Sequence, residues 1–350
     1  MRALASALAD GSPPAALIAF LERTLLDQPW ADPALPSLIY EESGEILGTI
    51  GASTRRMRFL GTPVRVVVSA YFWAHPEARA RGVGARLLRE LLSGPQDVTL
   101  TDAATPEVRR MWEALGGTTV HLGCFSYVRV LRPARLAAER LLRTQAPRVA
   151  RLAASAVAPL DALASYVPRL RLRVEPSDAT SEPLTAAAVV DHLPSVAASL
   201  SLVPDYDVPY LEWLFAQLSD IDRSRLPWLQ GRELGGLWAE VVTRRERVLG
   251  WYVCHLRRGG PCRVLQIAAP PRHMTRVVRH LCLRASELGA TAVVGRLEPR
   301  ILQALEEGIG RVLYRGRGRM LVHAKNPALV TAILRGDALL TSLDGEWWAS

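Results

Sequence analysis

From Val64 to Leu92 the chain passes from a two-residue hydrophobic rhythm to a helical one, and it makes the change through glycines. Val64, Val66, Val68, Ala70 and Phe72 share one face of a strand-like run that ends at Trp73, and Leu87, Leu88, Leu91 and Leu92 form the apolar stripe of a helix. Between them lies Arg79-Ala80-Arg81-Gly82-Val83-Gly84. A strand that runs through glycines into a helix start leaves several backbone N–H groups unpaired and pointing one way, with the positive end of the helix dipole behind them. That arrangement suits phosphate groups. Gly82 and Gly84 have no Cβ to hold a ligand off the main chain, and Arg79 and Arg81 add positive charge. The implied chemistry is capture of a pyrophosphate-bearing cofactor along the stretch from Arg79 to Ala85, Ala80 and Val83 included.

Spacing narrows the choice of cofactor. A dinucleotide fingerprint needs G-x-G-x-x-G with an acidic residue about 20 positions on. Here Gly82-Val83-Gly84 is followed by Ala85-Arg86-Leu87, so the third glycine is missing. A P-loop needs a lysine after its second glycine, and the chain's single lysine is Lys325. What Pro76, Arg79, Gly82 and Gly84 do spell is P-x-x-R-x-x-G-x-G, which resembles the acyl-CoA loop of the GNAT N-acetyltransferase superfamily.

The flanking elements extend the resemblance. Leu38 to Glu41 reads as a strand, Ser43-Gly44 as a tight turn and Ile46 to Ile50 as a returning strand. After the glycine-led helix, Val98-Thr99-Leu100 reads as a buried strand. A second helix is expected with Thr105 as N-cap, Pro106 at its first position, and Val108, Met111, Trp112 and Leu115 on one face, ending at Gly116-Gly117. A strand-rich segment from Thr119 to Leu131 is expected to close this unit. The order resembles that of GNAT proteins from Pro14 to Leu131.

The second half repeats the order without the loop. Trp238 to Val242, Val248 to Tyr252 and Cys262 to Ala268 read as strands; a helix carries Met274, Val277, Val278, Leu281 and Leu288; Ala292-Val293-Val294 reads as a strand; Glu298-Pro299 opens another helix; and Arg311 to Ala324 reads as a terminal hairpin. Where the first copy has Arg79 to Gly84, the second has Ala269-Pro270-Pro271-Arg272-His273, whose prolines remove N–H donors. The expected fold class is therefore α/β of the α+β type: two GNAT-like domains, each a mixed, mostly antiparallel sheet flanked by helices. Residues 1–132 would form the acyl-CoA-binding domain, 133–169 a linker of amphipathic helices broken at Pro147 and Pro159, and 170–350 a degenerate copy that lacks the cofactor loop, with cofactor binding weak or absent. Trp347-Trp348 is expected to dock on the body.

Composition removes other classes. No apolar run is long enough to span a bilayer and the first residues lack a signal-peptide layout, which points to a soluble cytoplasmic protein. Cys124, Cys254, Cys262 and Cys282 show no C-x-x-C pairing and there is no H-E-x-x-H, so no metal site is expected, His273 and His280 included. The net charge of +9 arises from 43 basic residues, nearly all arginine, in a chain also rich in alanine and leucine, and reads as surface solubilisation. No stretch interleaves dense basic residues with aromatics, which weighs against a nucleic-acid partner.

The resemblance implies an acyltransferase that uses acetyl-CoA, or another acyl-CoA, to acylate the amine of a small-molecule or amino-acid-like acceptor. It implies that backbone groups at Phe72, Trp73 and Ala74 pair with the pantetheine arm. Departures from the family pattern are plain. Trp112 stands where the family often has a tyrosine acid, and indole has no useful acidity. Strand Val64 to Trp73 offers only Ser69 and Tyr71 as polar groups, so Tyr71 is the candidate catalytic residue, with a place in the core as its other reading. Asp102, just beyond a strand end, is a second polar candidate with helix capping as its other reading, and Cys124 and Tyr127 lie where substrate-side strands are expected. Two alternatives stay open: an aminoacyl-tRNA-dependent transferase, since tandem GNAT-like domains resemble that class, and a CoA-binding protein without turnover.

Overall fold

The structure is a computed structural model and describes residues 4–6, 15–136, 178–220 and 235–349. The linker expected over 133–169, with its breaks at Pro147 and Pro159, lies almost wholly outside the described residues.

The chain begins with helix α1 (Ala15–Leu25), strands β1 (Leu38–Glu42), β2 (Glu45–Phe59) and β3 (Thr62–Ala74), a short helix α2 (Pro76–Arg79), helix α3 (Val83–Ser93), strand β4 (Val98–Ala104), helix α4 (Pro106–Ala114) and strand β5 (Thr118–Thr119). Strands β6 (Phe125–Val130) and β7 (Thr180–Pro183) and helix α5 (Ala186–Val196) follow, then β8 (Leu202–Pro204) and α6 (Val208–Asp220). The second half supplies β9 (Gly236–Arg244), β10 (Arg247–Leu256), β11 (Pro261–Ala268), α7 (Pro271–Glu287), β12 (Ala292–Arg296), α8 (Leu302–Gly308), β13 (Leu313–Gly316), β14 (Arg319–Ala324) and α9 (Pro327–Arg335).

These elements form two seven-stranded sheets, each with one parallel pair and antiparallel neighbours otherwise, flanked by helices. One runs β1-β2-β3-β4-β14-β5, with β8 also on β2, and the other runs β13-β6-β12-β11-β10-β9-β7. The fold class is the one expected. The assignment of strands to sheets is not. The segment from Thr119 to Leu131 does not close the first sheet: β5 stays there, but β6 pairs with β12 and β13 in the second. Arg311 to Ala324 is no hairpin either, because β13 lies in the second sheet while β14 inserts between β4 and β5 in the first. Each half thus gives its last strand to the other half's sheet. The reason the pattern misleads is physical: alternation marks a buried strand but carries no information about which sheet buries it.

The compact units are accordingly discontinuous, in place of consecutive blocks 1–132 and 170–350. One comprises Met1–Cys124, Leu200–Glu233 and Arg317–Ser350, the other Phe125–Ser199 and Leu234–Gly316. In the first unit, the leucine stripe of α3 (Leu87, Leu88, Leu91, Leu92) is buried in a cluster with Ile50, Val67, Trp112 and Leu321. Each such leucine contributes roughly 1.5–3 kcal/mol by leaving water. This anchors α3 on the sheet and fixes where its N-terminus sits. Trp347 and Trp348 are buried as expected, and no helix among the described residues is long and apolar enough to cross a membrane.

Candidate active site

The site is built where β3 parts from β4. The two strands run parallel and pair only over Val66–Val68 and Val98–Leu100, after which no pairing joins them. Just past that point β3 carries an extra residue. Its register with β2 runs Trp73 opposite Thr49 and then Ala70 opposite Gly51, so Tyr71 and Phe72 together face Ile50. Tyr71 takes φ +51°, unusual for a residue with a side chain. A bulge of this kind bends its strand, which is how β3 turns away from β4.

Beyond the bulge the chain turns through α2 and into α3. The turn is tied internally: Arg81 N–H donates to the Ala78 carbonyl and Gly82 N–H to the Arg79 carbonyl, both at 3.1 Å. Gly82 is the N-cap of α3 with φ +75°, and a Cβ there would meet nothing within 4 Å. That left-handed conformation explains the glycine, and the open space beside it leaves the main chain approachable. The first bond into the helix runs from Arg86 N–H to the Gly82 carbonyl at 3.1 Å, so the N–H groups of Val83, Gly84 and Ala85 have no acceptor within the helix.

The other expected site residues take several different positions. Gly84 is a packing glycine: a Cβ would lie 3.3 Å from the Phe72 ring. Val83 contributes backbone alone, its side chain being buried. Arg79 reaches back, its Nε donating to the Ala74 carbonyl at 3.0 Å, and so straps the end of β3 to the turn. Arg81 pairs with Glu42 at 2.6 Å on the surface. Ala80 is exposed, and Phe72 and Trp73 are half-buried. Tyr71 is half-buried with a buried hydroxyl, and its ring stacks on Trp348 at 5.7 Å. Burial drives its pKa well above the ordinary tyrosine value, a hydrogen bond with Thr24 lowers it in part, and the charge of Glu346 raises it further. Trp112 is fully buried core, with no hydrogen-bond partner for its indole N–H among the described residues.

Residues far along the chain complete this place, and sequence reasoning missed them. The segment after α9 carries Glu346, whose Oε1 accepts from the Thr101 hydroxyl at 2.6 Å and from Asp102 N–H at 3.1 Å. Both residues lie on β4 just past its last contact with β3. Glu346 N–H returns a bond to Asp102 Oδ1 at 3.2 Å. Arg55 on β2, itself buried, holds the same segment by its Asp344 and Gly345 carbonyls at 3.1 and 3.4 Å. Burial and the neighbouring Asp102 raise the Glu346 carboxyl to about 7, against the bonds from Thr101 and β4 that lower it. The only signal in the sequence was Asp102 at a strand end; nothing local marks Glu346 as its partner.

Residues 3–116 match the family model described as Acetyltransferase (GNAT) family. That match takes in 114 of the 350 residues, about a third of the chain. Among solved structures it is similar to a GCN5-related N-acetyltransferase from Kribbella flavida (15% identity, 92% of this chain and 68% of that one, TM-score 0.53). It is also similar to a conserved protein of unknown function from Enterococcus faecalis V583, described as a "Probable N-Acyltransferase" (11% identity, 92% and 68%, TM-score 0.54). At these identities the likeness concerns the fold, and it extends over both units. No curated protein matches the chain. The GNAT match ends ahead of β6, the first strand to join the second sheet.

Proposed function

We propose that this protein is an N-acyltransferase that takes an acetyl or other acyl group from acyl-CoA and delivers it to the amine of a small-molecule or amino-acid-like acceptor. One observation carries the reading: the parting of β3 from β4 leads into a helix start with three N–H groups free of helical acceptors, beside an open, left-handed Gly82. Such a start fits a diphosphate. The strand edge freed beyond Val68 fits an extended arm that hydrogen-bonds like a missing strand.

In this reading Val83, Gly84 and Ala85 bind the diphosphate through backbone N–H groups, and Phe72, Trp73 and Ala74 orient the pantetheine arm. Bound acyl-CoA supplies an activated thioester carbonyl. Arg79 acts by holding Ala74 and the turn in register, and Arg81, already paired with Glu42, contributes charge at longer range. Tyr71, kept protonated by burial, serves as a hydrogen-bond donor and ring wall beside Trp348. The second unit, whose corresponding helix opens with Pro270 and Pro271, does not bind acyl-CoA.

Isothermal titration with acetyl-CoA, followed by a free-thiol assay against a panel of amines and amino acids, tests the proposal. Saturable binding with amine-dependent thiol release is expected. Failure to bind acetyl-CoA and longer acyl-CoA alike would overturn it.

A further inference from the structure

We infer that Glu346 is the proton acceptor of the acyl transfer, presented to the gap between β3 and β4 by the buried segment near the C-terminus. The inference rests on the acyltransferase reading above and assigns the base that neither β3 nor α4 supplies. Its ground is position. Just past the last pairing of β3 with β4, the Glu346 carboxylate accepts from the Thr101 hydroxyl and from Asp102 N–H. The neighbouring Trp348 stacks on Tyr71, the bulge residue that opens the gap. Arg55 clamps the segment through the Asp344 and Gly345 carbonyls, immediately ahead of Glu346. Both acids are buried, Asp102 completely and Glu346 with 7% exposure.

Setting Glu346 beside a second buried acid costs desolvation and like-charge repulsion that a glutamine would avoid. The titratable groups that interact with Glu346 are Asp102 on β4 and Tyr71 on β3, while Arg55 on β2 bonds the carbonyls of the two residues before it. Burial and Asp102 together bring its carboxyl to about 7, where one group can both accept a proton and return it. The step balances without a further reactant. As the acceptor's neutral nitrogen forms the C–N bond, Glu346 takes the proton that nitrogen sheds. The C–S bond breaks, and Glu346 returns the proton to the departing sulfur and is again a carboxylate. Asp102 is a positioning residue that sets where Glu346 titrates.

Two measurements test this. Infrared pH titration of the unliganded protein should show a carboxyl band titrating near 7, absent from Glu346→Gln and moved to lower pH in Asp102→Asn. In the thiol assay, with acetyl-CoA and the best acceptor of the amine panel, kcat/KM should rise with pH through about 7, because the ionised form is the active one. Asp102→Asn should shift that limb down with the band. Glu346→Gln should abolish it and lower kcat by about 100-fold or more at unchanged acetyl-CoA affinity, with partial recovery in Glu346→Asp. A Glu346→Gln enzyme that keeps the wild-type limb, or a band that stays in the ordinary carboxylate range, overturns the assignment while leaving the transferase reading intact. Wild-type protein that binds acetyl-CoA and acylates no amine overturns both.

Discussion

The two units build the same crossing and finish it differently. In each, a strand pairs in parallel with its neighbour over three residues and then leaves it: Val66–Val68 on β4 in one, Pro261–Arg263 on β12 in the other. Each departing strand carries an extra residue near the parting, at Tyr71–Phe72 and at Leu265. Then they diverge. The first reaches its helix through a turn that ends on Gly82 and leaves three N–H groups available. The second enters directly at Pro270 and Pro271, which have no N–H, and His273 N–H folds back onto the Pro270 carbonyl at 2.8 Å. The gaps are filled with opposite chemistry. Glu346 sets a carboxylate on β4 in the first, and Arg300 sets a guanidinium on the Ile267 carbonyl of β11 at 3.3 Å in the second, steadied by Glu298 at 2.8 Å. The lesson is that the backbone frame alone confers no cofactor site; what the chain does in the few residues before the helix decides it.

The contrast is open to direct attack. Calorimetry should find one acetyl-CoA per chain, and Gly82→Val should weaken binding at least about 100-fold, or ~3 kcal/mol, since a branched side chain at φ +75° both strains the cap and covers the N–H groups. Two sites per chain, or an unaffected affinity, would erase the difference between the units. Next in size is a matched pair of glycines. A Cβ on Gly250 would lie 2.3 Å from the Ala268 carbonyl, whereas one on Gly48 meets the ends of the Leu87 and Val83 side chains at 2.9 Å. Urea unfolding should therefore show Gly250→Ala costing about 2–3 kcal/mol and Gly48→Ala about 1, because backbone cannot step aside and side chains can. Equal costs would mean the second frame is the looser one.

Smaller effects separate the two arginines. Arg79→Ala, which cuts the strap to Ala74, should raise the KM for acetyl-CoA by about tenfold. Arg81→Ala should change it by less than about threefold, since an exposed ion pair is worth little. The reverse order would place Arg81 on the ligand. Smallest is a stability effect of the carboxylate plug. Because the folded protein holds the Glu346 carboxyl near 7, well above its usual range, folding favours its protonated form. The stability this gives is full at low pH and drains away as pH rises towards 7. Glu346→Gln should accordingly raise Tm by about 2 °C at pH 8 and leave it nearly unchanged at pH 5.

What the sequence disclosed was local. The bend at Gly82, the Thr105 cap that accepts from Val108 N–H at 3.4 Å, and the repeated strand order all rest on residues adjacent along the chain. What it concealed was distant. Glu346 meets Thr101 across 245 positions of sequence, and β6 and β14 read as ordinary closing strands whichever sheet receives them. Periodicity reports that a strand has a buried face; it does not name the partner. Arg79 shows a second limit. A basic residue in a glycine-rich turn suggests a phosphate contact, yet the same side chain is long enough to bind a carbonyl five residues back.

The reciprocal gift of last strands has a practical result. A cut anywhere between β6 and β13 leaves the front piece without β14, the strand that joins β4 to β5, and leaves the rear piece without β6, the strand that joins β12 to β13. Neither piece has the parts to finish its own sheet. The two halves are therefore expected to fold only together despite their duplicated plan, so an assay of one calls for co-expressing its sibling or grafting the missing ribbon back.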